Sequence, residues 1–175
     1  MKKIGVLSDT HFFLHPKMFE FFKDVDEIWH AGDFGDIVTA ERIEKFKPLR
    51  GVYGNIDDTL VRRSFPLFNV FHVEKIKVLM THICGYPEHY PSNVLEMIRK
   101  EKPDMVIGGH SHILKIIHDK QNQLLFVNPG AAGMYGIHQL ITFVRFVVDG
   151  KDIREMEIFE TKKFLQNDTN TDFSI

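Results

Sequence analysis

The sequence holds a single cysteine, Cys84, so no disulfide can form within the chain and a secreted scaffold stapled by bridges is excluded. No apolar run approaches the ~20 residues that a membrane-spanning helix needs. The opening MKKIGVLSDTH carries too few apolar residues before Ser8-Asp9 for a signal-peptide core, and a cytoplasmic location is expected. Neither sign of charge is in surplus. The 22 Lys and Arg against 24 Asp and Glu give a net charge of −2, which excludes a generally basic nucleic-acid binder. Internal repeats, low-complexity tracts and linkers are also lacking. The 43% hydrophobic and 26% charged residues are the globular norm, and 175 residues suit one domain. That domain is expected over residues 1–160, with a polar, frayed tail over 161–175 that contains NDTNTD.

The apolar pattern alternates between two periods. Short apolar runs at residues 3–7, 27–30 and 49–53 read as buried strands, with helical spacing between them over 13–23 and 37–46. Strand, helix, strand, helix, strand is the pattern of a parallel sheet covered by helices. After Pro66 the pattern changes. Hairpins are predicted over 70–73 with 76–81 and over 114–118 with 124–127, a helix over 93–100 and a strand over 105–107. A last strand pair, 140–148 with 153–159, turns at Asp149-Gly150, a strong two-residue hairpin signal. Two mixed sheets packed face to face with helices outside accommodate these elements, an α/β fold.

What is abundant is histidine, ten in all. Five predicted strands end in groups that can bind a metal: Asp9-Thr10-His11, Gly32-Asp33 with Asp36, Gly54-Asn55 with Asp57, Thr81-His82, and Gly109-His110-Ser111-His112. Parallel sheets bind ligands beyond the carboxyl ends of their strands, so these groups are expected at one edge. On extended backbone the i, i+2 pairs Asp9/His11 and His110/His112 would each point both side chains the same way and clasp one ion. Asp, Asn and neutral His without thiolate suit Mn, Fe, Zn or Ni. Seven ligands (Asp9, His11, Asp33, Asn55, His82, His110, His112) exceed one tetrahedral ion. They suit two ions about 3.5–4 Å apart, bridged by a carboxylate, a geometry that activates water for in-line attack on phosphorus.

The series Asp9-x-His11, Gly32-Asp33-x-x-Asp36, Gly54-Asn55-x-Asp57, Thr81-His82 and Gly109-His110-Ser111-His112 resembles the calcineurin-like metallophosphoesterase family, over about residues 3 to 159. The short length, the early Gly-Asn-x-Asp and Asn128-Pro129-Gly130 resemble its small YfcE-type phosphodiesterase branch. The resemblance implies a four-layer α/β/β/α sandwich with a dinuclear centre. It assigns Asp9, His11, Asp33 and His112 to one ion, and Asp33 (bridging), Asn55, His82 and His110 to the other. The implied function is a phosphodiesterase whose hydroxide is activated by two divalent ions, manganese first and nickel, iron or zinc as alternatives, acting on a small phosphodiester. The alternatives are a non-catalytic interaction scaffold of the same fold, like the retromer subunit, or a metallohydrolase of a non-phosphate ester.

The chain departs from the family at two points. Many members have a His between the Asn and Asp of the third motif, thought to protonate the leaving group, and the small branch often has Cys. Here the residue is Ile56, which does neither. An Arg often found after the Asn-Pro-Gly motif is not evident over residues 131–136. Of the other histidines, His30 is expected to be packed inside its strand, and His15, His72, His89 and His118 to be surface or hairpin positions. His138 is a candidate to support a ligand or transfer a proton. Asp36 and Asp57 are expected either to orient a ligand or to cap a turn. The cluster Phe12, Phe13, Phe19, Phe21 and Phe22 is read as core and helix face, with an exposed part that could join copies into a homo-oligomer, since small-branch members are often oligomeric. Cys84 is read as a small buried residue.

Overall fold

The structure, a computed structural model, describes residues 1–163; most of the expected tail, residues 164–175, lies outside the described residues. Strand β1 (Lys2–Leu7) leads through helix α1 (Pro16–Phe21) to β2 (Glu27–His30), then through α2 (Ile37–Phe46) to β3 (Leu49–Gly51). The three strands are parallel neighbours. Helix α3 (Thr59–Ser64) crosses to the second sheet, where β4 (Asn69–Val73) and β5 (Ile76–Met80) form a hairpin. Then come α4 (Ser92–Glu101), β6 (Met105–Ile107), β7 (Leu114–Asp119) and β8 (Leu124–Pro129), and the chain returns to the first sheet with β9 (Leu140–Asp149) and β10 (Asp152–Lys162). The orders are β10-β9-β1-β2-β3 and β4-β5-β6-β8-β7, so both sheets are mixed.

Alternation along the strands divides the side chains among layers. Ile4 and Val6 of β1, Trp29 of β2, and Ile76, Val78 and Met80 of β5 all enter one apolar cluster between the sheets. Leu7 and Ile28 face the other way, with Met18 and Phe22 near α1, Ile43 of α2 and Val61 of α3. On the far side, Leu79 and Val106 pack with Val94 and Ile98 of α4. Two sheets with helices outside each give the four-layer α/β/β/α sandwich. Burial of each large apolar side chain contributes roughly 1.5–3 kcal/mol. Trp29 anchors the middle layer, edge-on to Phe71 at 5.0 Å and to Phe146 at 5.8 Å between ring centroids. Gly5 lies flat under Phe22, where a Cβ would stand 2.9 Å from the ring.

Several boundaries differ from the periodicity. Helix α1 starts at Pro16 rather than residue 13, because the preceding loop folds over the sheet edge with His11 and Phe12 at positive φ. His15, expected at the surface, is buried: it accepts a hydrogen bond from the Lys17 amide (3.2 Å) as the helix cap and packs between Phe13 and Phe159. Strand β3 stops at Gly51, short of residue 53. Helix α3 was not apparent from apolar spacing in so short a segment, although Asp58 caps it by accepting from the amides of Leu60 (2.9 Å) and Val61 (3.0 Å). Strand β10 runs to Lys162, two residues past the expected domain end, with a bulge between Arg154 and Glu157. Among the described residues no helix is long and apolar enough to cross a membrane.

Candidate metal centre

The loops that follow β1, β2, β3, β5 and β6 meet at one edge of the sandwich. Backbone hydrogen bonds stitch them together: the Asp9 amide donates to Gly32 (2.9 Å), that of His11 to Asp33 (3.0 Å), and that of Gly109 to His82 (3.0 Å). All seven candidate ligands lie at this edge. Five of them hold positive φ: Asp9 (54°), His11 (44°), Asp33 (59°), His110 (67°) and His112 (59°). Left-handed backbone is uncommon outside glycine and is characteristic of sites where geometry outranks comfort. It also corrects the expectation that each i, i+2 pair clasps one ion. Asp9 and His11 stay together, but the twisted backbone sends His110 and His112 into different groups.

Those groups are Asp9, His11 and His112, and Asp33, His82 and His110, each able to bring its donor atoms within 4.8 Å of one another. In the first, Asp9 Oδ1 lies 3.9 Å from His11 Nε2 and 3.2 Å from His112 Nε2, and the two imidazole nitrogens stand 3.3 Å apart. In the second, Asp33 Oδ2 lies 3.2 Å from His82 Nε2. The groups touch: His11 Nε2 is 3.8 Å from Asp33 Oδ2, and His82 Nε2 is 3.9 Å from Asp9 Oδ1. Each carboxylate thus comes within 4 Å of a histidine of the other group. Asn55 Oδ1 approaches His82 Nε2 at 3.0 Å.

The donor chemistry fits divalent cations. His82 Nδ1 donates to the Ala31 carbonyl at 2.8 Å, which leaves Nε2 a lone pair facing the oxygens of Asp33 and Asn55. Asp9 Oδ1 is buried with no hydrogen-bond partner, against three imidazole nitrogens. Carboxylate oxygens gathered against neutral imidazole nitrogens in a buried site are satisfied by a cation between them. Burial alone would raise the Asp9 and Asp33 carboxyls, but His112 and His82 beside Asp9, and His82 beside Asp33, hold both below the usual range. Burial would lower His82, yet Asp33 and Asp9 raise it above the ordinary imidazole value. Burial pushes the Cys84 thiol up to about 12, so it offers no thiolate.

The supporting groups have separable tasks. Asp57 is buried and accepts from the amides of Asp33 (3.0 Å), Gly54 (2.7 Å) and Gly35 (2.9 Å), fixing the loop that presents Asp33; burial raises its pKa. Asp36 instead caps α2 through Thr39 at 2.7 Å. Gly54 is required by close approach, since a Cβ there would lie 1.9 Å from Asp33 Oδ1. His30 is fully buried, as expected, and stacks on Phe34 at 3.6 Å. Its Nδ1 accepts from the Gly32 amide (3.1 Å), so Nε2 donates to Thr10 Oγ1 (2.9 Å) and ties the β1 loop to the β2 loop. Burial pushes its pKa down to about 3. Asn128 donates to the Gly109 carbonyl (2.9 Å), holding the loop of His110 and His112. His138 donates from Nε2 to the Gly133 carbonyl (3.1 Å) and faces His112 Nδ1 with its own Nδ1 (2.9 Å).

Sequence reasoning missed Arg62, whose guanidinium grips the carbonyls of Gly54, Asn55 and Asp57, and Tyr135, whose ring lies 5.0 Å from that of His11. Neither carries a local signal, because both act through the tertiary fold.

A four-layer sandwich with oxygen and imidazole donors gathered on one strand-end edge is the architecture of a metallophosphoesterase. Residues 1–151 match the calcineurin-like phosphoesterase superfamily domain, and the chain belongs to that superfamily. It is 29% identical over 133 residues to a probable metallophosphoesterase of Methanothermobacter thermautotrophicus, covering 73% of this chain and 76% of the relative. Among solved structures, Vps29 of Chaetomium thermophilum superposes with a TM-score of 0.72 at 17% identity, covering 92% of this chain and 97% of that one, a likeness of fold. A Thermotoga maritima protein gives a TM-score of 0.70 at 26% identity, covering 92% and 100%.

Proposed function

We propose that the protein is a metal-dependent phosphodiesterase with a two-ion centre. The buried Asp9 Oδ1, without a hydrogen-bond partner and opposite three imidazole nitrogens, carries this reading, because a cation seated among them satisfies it. Asp9, His11, Asp33 and His112 would hold one ion, and Asp33, Asn55, His82 and His110 the other. Oxygen and imidazole donors without thiolate suit manganese, with nickel, iron or zinc as alternatives. When bound, such ions supply Lewis acidity that lowers the pKa of water toward neutrality and offsets phosphoryl charge. The chain's own part is to pre-set the ligands. Asp57 fixes the Asp33 loop, Ala31 fixes the His82 tautomer, and strained loops hold the remaining groups without rearrangement.

A diester suits the surroundings better than a monoester dianion. Arg62, which donates to the Asn55 carbonyl, is committed to backbone carbonyls. Apolar side chains flank the edge on both sides, Phe12 and Tyr135 beside His11 and Ile83 beside His82, and a diester has two organic arms to meet them. The same exposed apolar rim favours a second reading, a non-catalytic interaction scaffold of this fold. Manganese loading, desalting and elemental analysis, followed by hydrolysis of bis(p-nitrophenyl) phosphate, separate the two. Two ions per chain with turnover supports the phosphodiesterase. Bound metal without turnover on any diester supports the scaffold, and a folded protein that retains no metal refutes the enzyme.

A further inference from the structure

Beside the candidate centre the structure has a recess that none of the seven ligands explains. It lies beyond the ends of β3 and β5, beside Arg62 of α3 and the start of α4, and has a volume of about 360 Å³. That is within the roughly 300–1,000 Å³ of small-ligand sites. Asn55 and His82, one candidate ligand from each sheet, form its inner wall, so anything seated there lies against the second metal group. The outer walls are Tyr53, Leu67, Ile83 and Pro91. Leu67 and Ile83 remain 45% and 48% exposed there.

The polar groups of the recess are largely committed elsewhere. The Thr81 hydroxyl donates to the Leu67 carbonyl at 3.0 Å, and Arg62 holds carbonyls while its guanidinium lies 4.8 Å from the Tyr53 ring centroid. That pair makes one wall flat and rigid. What the recess offers is therefore mostly apolar surface, with the Asn93 carboxamide also in its lining, beside two candidate metal ligands.

We infer that this recess is a subsite for one ester arm of the substrate, and that the arm carries a flat ring. The inference rests on the phosphodiesterase reading and names the substrate class it prefers: phosphodiesters with a ring-bearing alcohol or phenol on one side. A methyl or short alkyl arm leaves the recess wet and forgoes its apolar contacts.

The test uses two non-hydrolysable anions, phenylphosphonate and methylphosphonate, titrated calorimetrically into the manganese-loaded full-length protein. A parallel NMR titration follows the Leu67 and Ile83 methyl groups in the zinc-loaded protein. Phenylphosphonate is expected to bind at least tenfold tighter and to shift both methyl signals; methylphosphonate shifts neither. Leu67→Ser and Ile83→Ser, both at half-exposed positions where folding tolerates polarity, are expected to bring the two affinities together. Equal affinities in the wild type, or a preference that survives both substitutions, overturns the subsite while leaving the phosphodiesterase reading intact. Phenylphosphonate binding at these methyls without any methylphosphonate binding supports the recess and overturns the phosphoryl centre. No binding of either anion overturns both.

Discussion

Removing the His138 imidazole tests how the centre keeps its ligands aimed. The Gly133 carbonyl accepts from His138 Nε2 at 3.1 Å, so His138 Nδ1 bears a lone pair. That lone pair, 2.9 Å from His112 Nδ1, makes His112 carry its proton on Nδ1 and leaves Nε2 free toward Asp9 Oδ1 and His11 Nε2. Both His138 nitrogens are thereby engaged, which suits orienting a ligand better than passing a proton to substrate. In His138→Ala, His112 loses the group that selects its tautomer and fixes its ring. Loss of such a partner typically weakens metal binding about 10–100-fold, or roughly 1.4–2.8 kcal/mol at 1.4 kcal/mol per decade. Chelator competition should show this loss for the ion held by Asp9, His11 and His112, with little change at the other. His138→Gln, which can still accept through Oε1, should recover part of the affinity, and His138→Phe none. Nitrogen-detected NMR of wild type should find the His112 proton on Nδ1. Unchanged metal affinity in His138→Ala together with slower turnover would refute this logic and return His138 to the role of proton donor.

Ile56 gives Asp33 Oδ1 only its backbone amide (3.1 Å), and its side chain cannot protonate a leaving group. Activity should therefore fall steeply as the leaving group becomes a poorer one. Ile56→His should regain part of the roughly 10²–10⁴-fold that a general acid contributes, for alkyl but not nitrophenyl esters, in kcat/KM across a diester series; a flat wild-type dependence means another acid acts. Asp33→Asn should abolish turnover, whereas Asp36→Asn should weaken only the α2 cap, at a cost of about 1 kcal/mol or less in a urea melt. Equal, mild effects on turnover would show that Asp33 is not shared between the ions. The metal-free protein should lose stability in acid, because His30 titrates at about 3 when folded and near 6.5 when unfolded. Its contribution is complete above pH 6.5 and declines by up to about 1.4 kcal/mol per pH unit below it. Because the raised His82 acts with the opposite sign, the check is the stability difference between wild type and His30→Gln in urea melts at pH 7 and 5, and a difference independent of pH refutes the reasoning.

The layers were legible because buried parallel strands need apolar runs and covering helices need apolar stripes. Residues 27–30, 37–46 and 105–107 matched to the residue. The short elements were not legible: α3 has too few residues for a period, and its marker, Asp58, is a capping residue common in loops as well. At the site, the motif order brought all seven residues to one edge, since each follows an apolar run that can only be a strand. The sharing-out of His110 and His112 came from the family resemblance and not from the i, i+2 spacing, which misled because it does not reveal φ of 67° and 59°. His15 misled for a related reason: one of the two rings that cover it, Phe159, is far away in the chain.

The return of the chain to its first sheet bears on the order of events during synthesis. β1 lies between β2 and β9, so the strand that leads into Asp9 and His11 lacks one neighbour until residues 140–149 exist. The second sheet, by contrast, is made from one uninterrupted stretch, β4 to β8, and can close while the first is still open. Each metal-binding group mixes the two: Asp9 and His11 with His112, Asp33 with His82 and His110. A nascent chain therefore exposes Asp9, His11 and Asp33 early and His82, His110 and His112 late, without a pocket in which both sets are fixed. Metal capture becomes an event of the finished protein, and a chain halted before β9 would leave the ribosome with every ligand present and no centre to hold an ion.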